Sequence, residues 1–251
     1  MQLHVPDPDY TGSPSAIRSF WLAIRLITGL LIVIWAVFWF ERLLKIELSQ
    51  FGLRPRETIG LLGLMTTPLL HGNFSHLLSN SVPLFVGGVA LLFLYPTAAL
   101  RALPSIYIGS SALAWLFARS SLHIGASGLV YGILAFVFVS GMLRMDLRSV
   151  GVSLMIWLLY GSMIWGVLPS GQGTSWELHF SGALIGTLMA IVLKRFDRPP
   201  IKRYDWEDED GNGDDFDFSD NNGDGNRDLD QESDTGSSER PSDDQPWRDW
   251  R

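Results

Sequence analysis

A few polar residues interrupt otherwise apolar stretches of this chain, and their types are those used in acyl transfer. One stretch opens His71-Gly72-Asn73-Phe74-Ser75-His76-Leu77-Leu78-Ser79-Asn80, a later one opens Gly125-Ala126-Ser127-Gly128, and a third holds His179 near its start. A serine hydroxyl is a weak nucleophile until a neighbouring base takes its proton, and histidine is the side chain whose ordinary pKa suits it to that exchange. Asn80 follows His76 by four residues, so on a helix both project from one face, and Tyr131 stands in the same relation to Ser127. His123, four residues before Ser127, is a rival base by spacing, but it falls in the preceding loop with no helix to position it.

Other hydrolytic chemistries lack their residues. The chain has no cysteine, which excludes a thiol nucleophile, a disulfide framework and cysteine metal sites. The His-Glu-x-x-His pattern of a zinc protease is absent. An aspartic mechanism needs two carboxylates within the membrane, whereas the acids before residue 204 lie in loops or at helix ends, the nearest being Asp146 and Glu177. What remains is a Ser–His pair without a buried acid, with no metal and no cofactor expected.

The elements that must carry these groups are membrane helices. Hydrophobic residues make up 47% of the 251 and charged residues only 18%, and the charge is unevenly placed. Residues 1–203 hold 15 Lys and Arg against 8 Asp and Glu, net +7, while residues 204–251 hold 4 against 18, net −14. A helix needs about 20 apolar residues to cross about 30 Å of hydrocarbon. Six segments qualify or nearly do: Phe20–Phe40, Leu77–Tyr95, Ala102–Ala118, Ser127–Leu143, Val150–Leu168 and the shorter Leu178–Leu193, flanked by Trp176 and Lys194 as interface anchors. The first is not a cleavable signal, because its run is long and no small-residue cleavage site follows it.

Six crossings put both termini on one side. Arg18, Arg101, Arg144, Arg148, Lys194, Arg195, Arg198, Lys202 and Arg203 fall there, against Arg42, Lys45, Arg54, Arg56 and Arg119 opposite, so the positive-inside rule predicts cytoplasmic termini. The connection 41–76 alternates charged residues with Leu, Ile and Phe and reads as an outer, partly interfacial amphipathic loop. The even-numbered segments then run inward from the outer face, so His71, His76, Asn80, Ser127 and His179 all sit at one depth. Intramembrane polar groups are expensive and are functional candidates by default. A glycine-flanked serine also serves as a helix cap, and a lone histidine as a hydrogen-bonding group in a bundle; their coincidence at one depth is what packing alone does not supply. Gly128 with Gly132, and Gly182 with Gly186, are small-xxx-small pairs that let helices four and six cross closely enough to bring Ser127 to His179.

The stretch 195–203 is a basic juxtamembrane segment, and residues 204–251 are too polar to bury a core, so a disordered acidic tail is expected. Asp220, Asn222, Asp224 and Gly225 imitate a calcium loop, but its twelfth position is Gln231 and no flanking helices accompany it, so no metal is expected there.

In this order, His71, the His76-x-x-x-Asn80 pattern, Gly125-x-Ser127-Gly128 with Tyr131, and His179-x-x-Gly182-x-x-x-Gly186 resemble a rhomboid intramembrane serine protease of the basic six-helix type over residues 20–194. The resemblance implies an all-α polytopic membrane bundle, Ser127 as nucleophile and His179 as general base with Tyr131 stacked on it. It further implies an oxyanion hole from His76, Asn80 and the Ser127 backbone N–H, with His71 supporting the loop before the second helix. Transmembrane proteins would be the substrates, cleaved near the outer face of the plasma membrane, with the lipid bilayer as surroundings and no nucleic-acid partner. No Trp-Arg pair stands in the first outer loop, where many family members carry one. An inactive relative that escorts membrane proteins would keep the glycines but has no need of the Ser–His pair. A small transporter would place polar groups midway across the membrane in repeated halves; here they lie near one face and no repeat is present.

Overall fold

A computed structural model of the chain describes residues 13–169 and 175–197. The expected acidic tail, its calcium-loop-like run and the basic residues from Arg198 onward lie outside the described residues, as do residues 1–12. Six long helices occur among the described residues: α1 Pro14–Leu44, α2 Phe74–Leu94, α3 Pro96–Phe117, α4 Ser127–Arg144, α5 Leu147–Tyr160 and α6 Trp176–Val192. There is no strand among them, only an isolated antiparallel bridge between Leu53 and His123.

Local capping chemistry decides where the helices begin. The Ser13 side chain accepts the Ala16 N–H at 3.2 Å and Pro14 fills the first turn, so α1 starts six residues ahead of the apolar run at Phe20. Asn73 caps α2 by accepting the His76 N–H at 2.8 Å, and Asp146 caps α5 through the Ser149 N–H at 3.0 Å. The fifth segment departs from the single helix expected over Val150–Leu168. It is α-helical to Tyr160 and then tightens into a 3-10 turn, Gly161–Val167, which redirects two backbone carbonyls toward α4 and α6.

Among the described residues, four helical spans are long and apolar enough to cross a membrane: α1, α2, α4, and α5 with its 3-10 continuation. The chain is an integral membrane protein. The shorter α6 has 17 residues, and α3 carries Thr97, Arg101, Ser105, Ser110 and Ser111 along its length.

Helix α4 is the centre of the bundle, packed by α2, α3, α5 and α6. Of its apolar window 72% is buried, against 17% for α1, which buries the stripe Ala23, Ile27, Ile34 and Phe38, and 11% for α5 with its continuation. Glycine makes the α4–α6 contact a backbone one. A Cβ on Gly182 would overlap the Gly128 carbonyl oxygen, and one on Gly186 would overlap that of Gly132. Helix α3 joins the same contact: a Cβ on Gly132 would overlap Ile106 of α3 and lie 3.0 Å from the Gly182 carbonyl oxygen of α6.

The connection between α1 and α2 is built of short 3-10 turns and one α-turn, Gly63–Thr66. Gly60 and Gly63 face inward with no room for a Cβ, while Ile59, Leu61, Leu62 and Met65 face outward. Arg56, in the left-handed region at φ 61°, donates to the Ala118 carbonyl at 2.7 Å, and Trp115 Nε1 donates to the Glu57 carbonyl at 3.0 Å, so the loop is braced on the end of α3.

Gly186→Ala is expected to lower stability by about 1–3 kcal/mol through overpacking. Gly29→Ala, on the open face of α1 where a Cβ meets nothing within 4 Å, should leave it unchanged. Thermal unfolding of both purified variants in detergent checks this.

Candidate functional site

Ser127 is the first residue of α4, and the turn that presents it depends on glycine. Gly125 has φ +117°, and a Cβ there would also press on the His76 ring at 2.6 Å. Its N–H donates to the Thr67 carbonyl at 3.0 Å, tying the turn to the α1–α2 loop.

His71 is buried beneath this turn. Its Nε2 accepts the Ala126 N–H at 3.3 Å and faces Asn80 Nδ2 at 3.2 Å. Both partners are donors, so Nε2 is the unprotonated nitrogen and the ring proton sits on Nδ1. His71 joins the loop before α2 to the Ser127 turn and orients the Asn80 amide. Burial, reinforced by the neighbouring His76, lowers the His71 pKa to about 4. The two rings lie 5.1 Å apart.

His179, in the first turn of α6, stacks on Tyr131 with ring centroids 4.2 Å apart and planes 8° from parallel. Its Nδ1 donates to the Gly166 carbonyl at 3.0 Å, while Tyr131 Oη donates to the Met163 carbonyl at 2.9 Å. The 3-10 turn after α5 supplies both acceptors, and a Cβ on Gly166 would collide with Tyr131 Oη. With Nδ1 protonated, Nε2 of His179 is left as the basic nitrogen. Sequence reasoning missed Gly166 and Met163, because a carbonyl acceptor belongs to every residue type and leaves no signal in the sequence.

Ser127, His179, His76, Asn80 and Tyr131 line one cavity of about 1040 Å³. Ser127 and His179 share it without a hydrogen bond between them among the described residues. Gly128, Gly182 and Gly186 lie in the helix contact beneath. His123 is not loosely held: it is fully packed, bridged to Leu53 by two backbone hydrogen bonds of 2.9 Å, and hydrogen-bonded at both ring nitrogens. No group of three or more His, Asp or Glu able to hold a metal occurs among the described residues.

The family model for the rhomboid domain matches residues 60–196, a span that holds all of these groups. The chain belongs to the rhomboid family. Uncharacterized proteins of Mycobacterium tuberculosis and Mycobacterium bovis are each 36% identical to it over 161 residues, 61% of this chain and 67% of theirs. One from Mycobacterium leprae is 34% identical over 176 residues, 63% of this chain and 66% of its own. Arg56, just ahead of the matched span, and Trp115 within it hold the first loop, which has no Trp-Arg pair, to α3 by hydrogen bonds.

The depressed pKa of His71 makes stability pH-dependent in a defined direction. The folded state resists protonation, so its stability is fully present above the unfolded value of 6.5 and is lost as pH falls through about 4. Unfolding midpoints measured from pH 7 to pH 4 should fall more steeply for the natural protein than for His71→Gln, which has no proton to gain.

Proposed function

We propose that this rhomboid is an intramembrane serine endopeptidase, with Ser127 as nucleophile and His179 as general base. The observation that carries the reading is the His179 Nδ1 bond to the Gly166 carbonyl, because it leaves Nε2 unprotonated on the wall of the cavity that Ser127 also lines. An orienting carbonyl and a stacked ring take the part that a carboxylate plays in a Ser-His-Asp triad.

In this mechanism Ser127 Oγ attacks the scissile carbonyl carbon while its proton passes to His179 Nε2. The oxyanion is held by the Ser127 N–H, by His76 and by Asn80. One amide hydrogen of Asn80 is spent on His71 and the second is left for substrate. Collapse of the tetrahedral intermediate breaks the C–N bond, and His179 returns the proton to the leaving amine. Water activated by the same nitrogen then hydrolyses the acyl-enzyme, releasing the acid and restoring Ser127.

The reading includes six membrane crossings, cytoplasmic termini and a plasma-membrane location, with the cavity opening toward the outer face. A transmembrane substrate must unwind locally first, since its amides are paired within its own helix.

Ser127→Ala and His179→Ala should each reduce cleavage of a transmembrane substrate by at least about 10³-fold, and the double variant should be no slower, because nucleophile and base act as a unit. Asn80→Ala should lower turnover by about 10²–10³-fold while leaving fluorophosphonate labelling of Ser127 detectable. The measurements are cleavage in liposomes and labelling in detergent. A natural protein that neither cleaves nor labels would be the non-catalytic escort instead.

A further inference from the structure

Ser175 immediately precedes α6, in the position where a serine ordinarily accepts an amide N–H of its own helix. It makes no such cap. Its hydroxyl donates to Nδ1 of His123 at 2.5 Å, and the other ring nitrogen of His123, Nε2, donates to the Arg119 carbonyl at 3.1 Å. Arg119 in turn reaches back to α6, with its Nε 3.3 Å from the buried carboxylate of Glu177 and its backbone N–H donating to the same oxygen at 3.4 Å. The loop between α3 and α4 and the first residues of α6 are therefore joined twice by polar contacts, and the Leu53 bridge holds His123 from behind.

The register of this latch is what gives it consequence. His123 lies four residues before Ser127 and Ser175 four residues before His179. On the far side of Ser127 and His179, Gly182 rests on the Gly128 carbonyl and Gly186 on that of Gly132. A helix contact on one side of a pair of groups is a pivot: it fixes the separation of the axes but leaves their angle and axial offset free. A second attachment on the other side removes those freedoms. We infer that His123 and Ser175 are positioning residues for the reaction, setting the Ser127–His179 geometry from above while the glycines set it from below. This rests on the protease reading. Both residues line the same cavity as Ser127 and His179, but their part is to hold other groups: they act by keeping Ser127 Oγ and His179 Nε2 in register.

The test uses the full-length protein in liposomes, with kcat and KM for a transmembrane substrate measured separately, the rate of fluorophosphonate labelling of Ser127, and the unfolding midpoint. Ser175→Ala should lower kcat by about tenfold or more, since a misplacement of ~1 Å costs up to 10²-fold, with KM unchanged within about twofold. Labelling should slow by the same factor. Ser175→Thr, which keeps the hydroxyl, should recover most of kcat, and His123→Asn combined with Ser175→Ala should be no slower than the slower single variant. Unchanged kcat in Ser175→Ala, a change confined to KM, or a loss that follows the unfolded fraction and is not recovered by threonine would overturn the inference while leaving an active protease. A natural protein that neither cleaves nor labels would overturn the protease reading and this inference with it.

Discussion

The structure depends on the absence of side chains at Gly182 and Gly186. In a bilayer, apolar helices gain nothing hydrophobic by leaving lipid for each other, so their association rests on dispersion at close range. Bringing α6 against the backbone carbonyls of Gly128 and Gly132 supplies that range. The same approach places the starts of α4 and α6, with Ser127 and His179, on the wall of one cavity. A single methyl group at either position would act on chemistry it never touches.

Around that contact, hydrogen bonds restrict the state as well as the place of two histidines. His71 accepts from two N–H donors, which fixes its tautomer. His179 donates to a carbonyl, which fixes the opposite one. Burying such groups costs several kcal/mol each when nothing compensates, and these bonds offset part of that cost. The carbonyls that serve His179 and Tyr131 come from a 3-10 turn, where the helix stops satisfying its own acceptors in the regular way.

The opposite end of the bundle shows the same economy. Asp197, past the end of α6, accepts the N–H groups of Thr97 and Ala98 and so caps α3 from another element, at 3.0 and 2.8 Å. Arg101 lies over the Phe196 ring and Arg144 over the Tyr95 ring, 4.8 and 4.0 Å from their centroids. Helix α6 is thereby fastened at both ends as well as along its glycine face, which suits an element whose 17 residues give it little apolar length with which to hold its own position in lipid.

Much of this was legible in residue types and spacing. Apolar length located the six helices, since hydrocarbon thickness sets that length, but missed the starts of α1 and α3 by six residues each and the end of α5 by eight. Small-xxx-small spacing named the α4–α6 contact, because only glycine permits it. The His76–Asn80 and Ser127–Tyr131 spacings placed side chains on common faces, because helical period is a local property. Apolar length alone put the first helix six residues too late, because it takes no account of the cap that Ser13 and Pro14 supply. What only the tertiary structure decided was whatever rests on backbone groups or on contacts between distant segments. No residue type announces that the Gly166 carbonyl meets His179, that the fifth helix tightens after Tyr160 to bring it there, or that His123 is held by Leu53 and Ser175. Carbonyl oxygens are the same at every position, and a loop histidine acquires its partner only when chain segments 52 residues apart are folded together. The identity of the candidate groups is therefore a property of the sequence, while their tautomers, their anchoring and the cavity they share are properties of the fold.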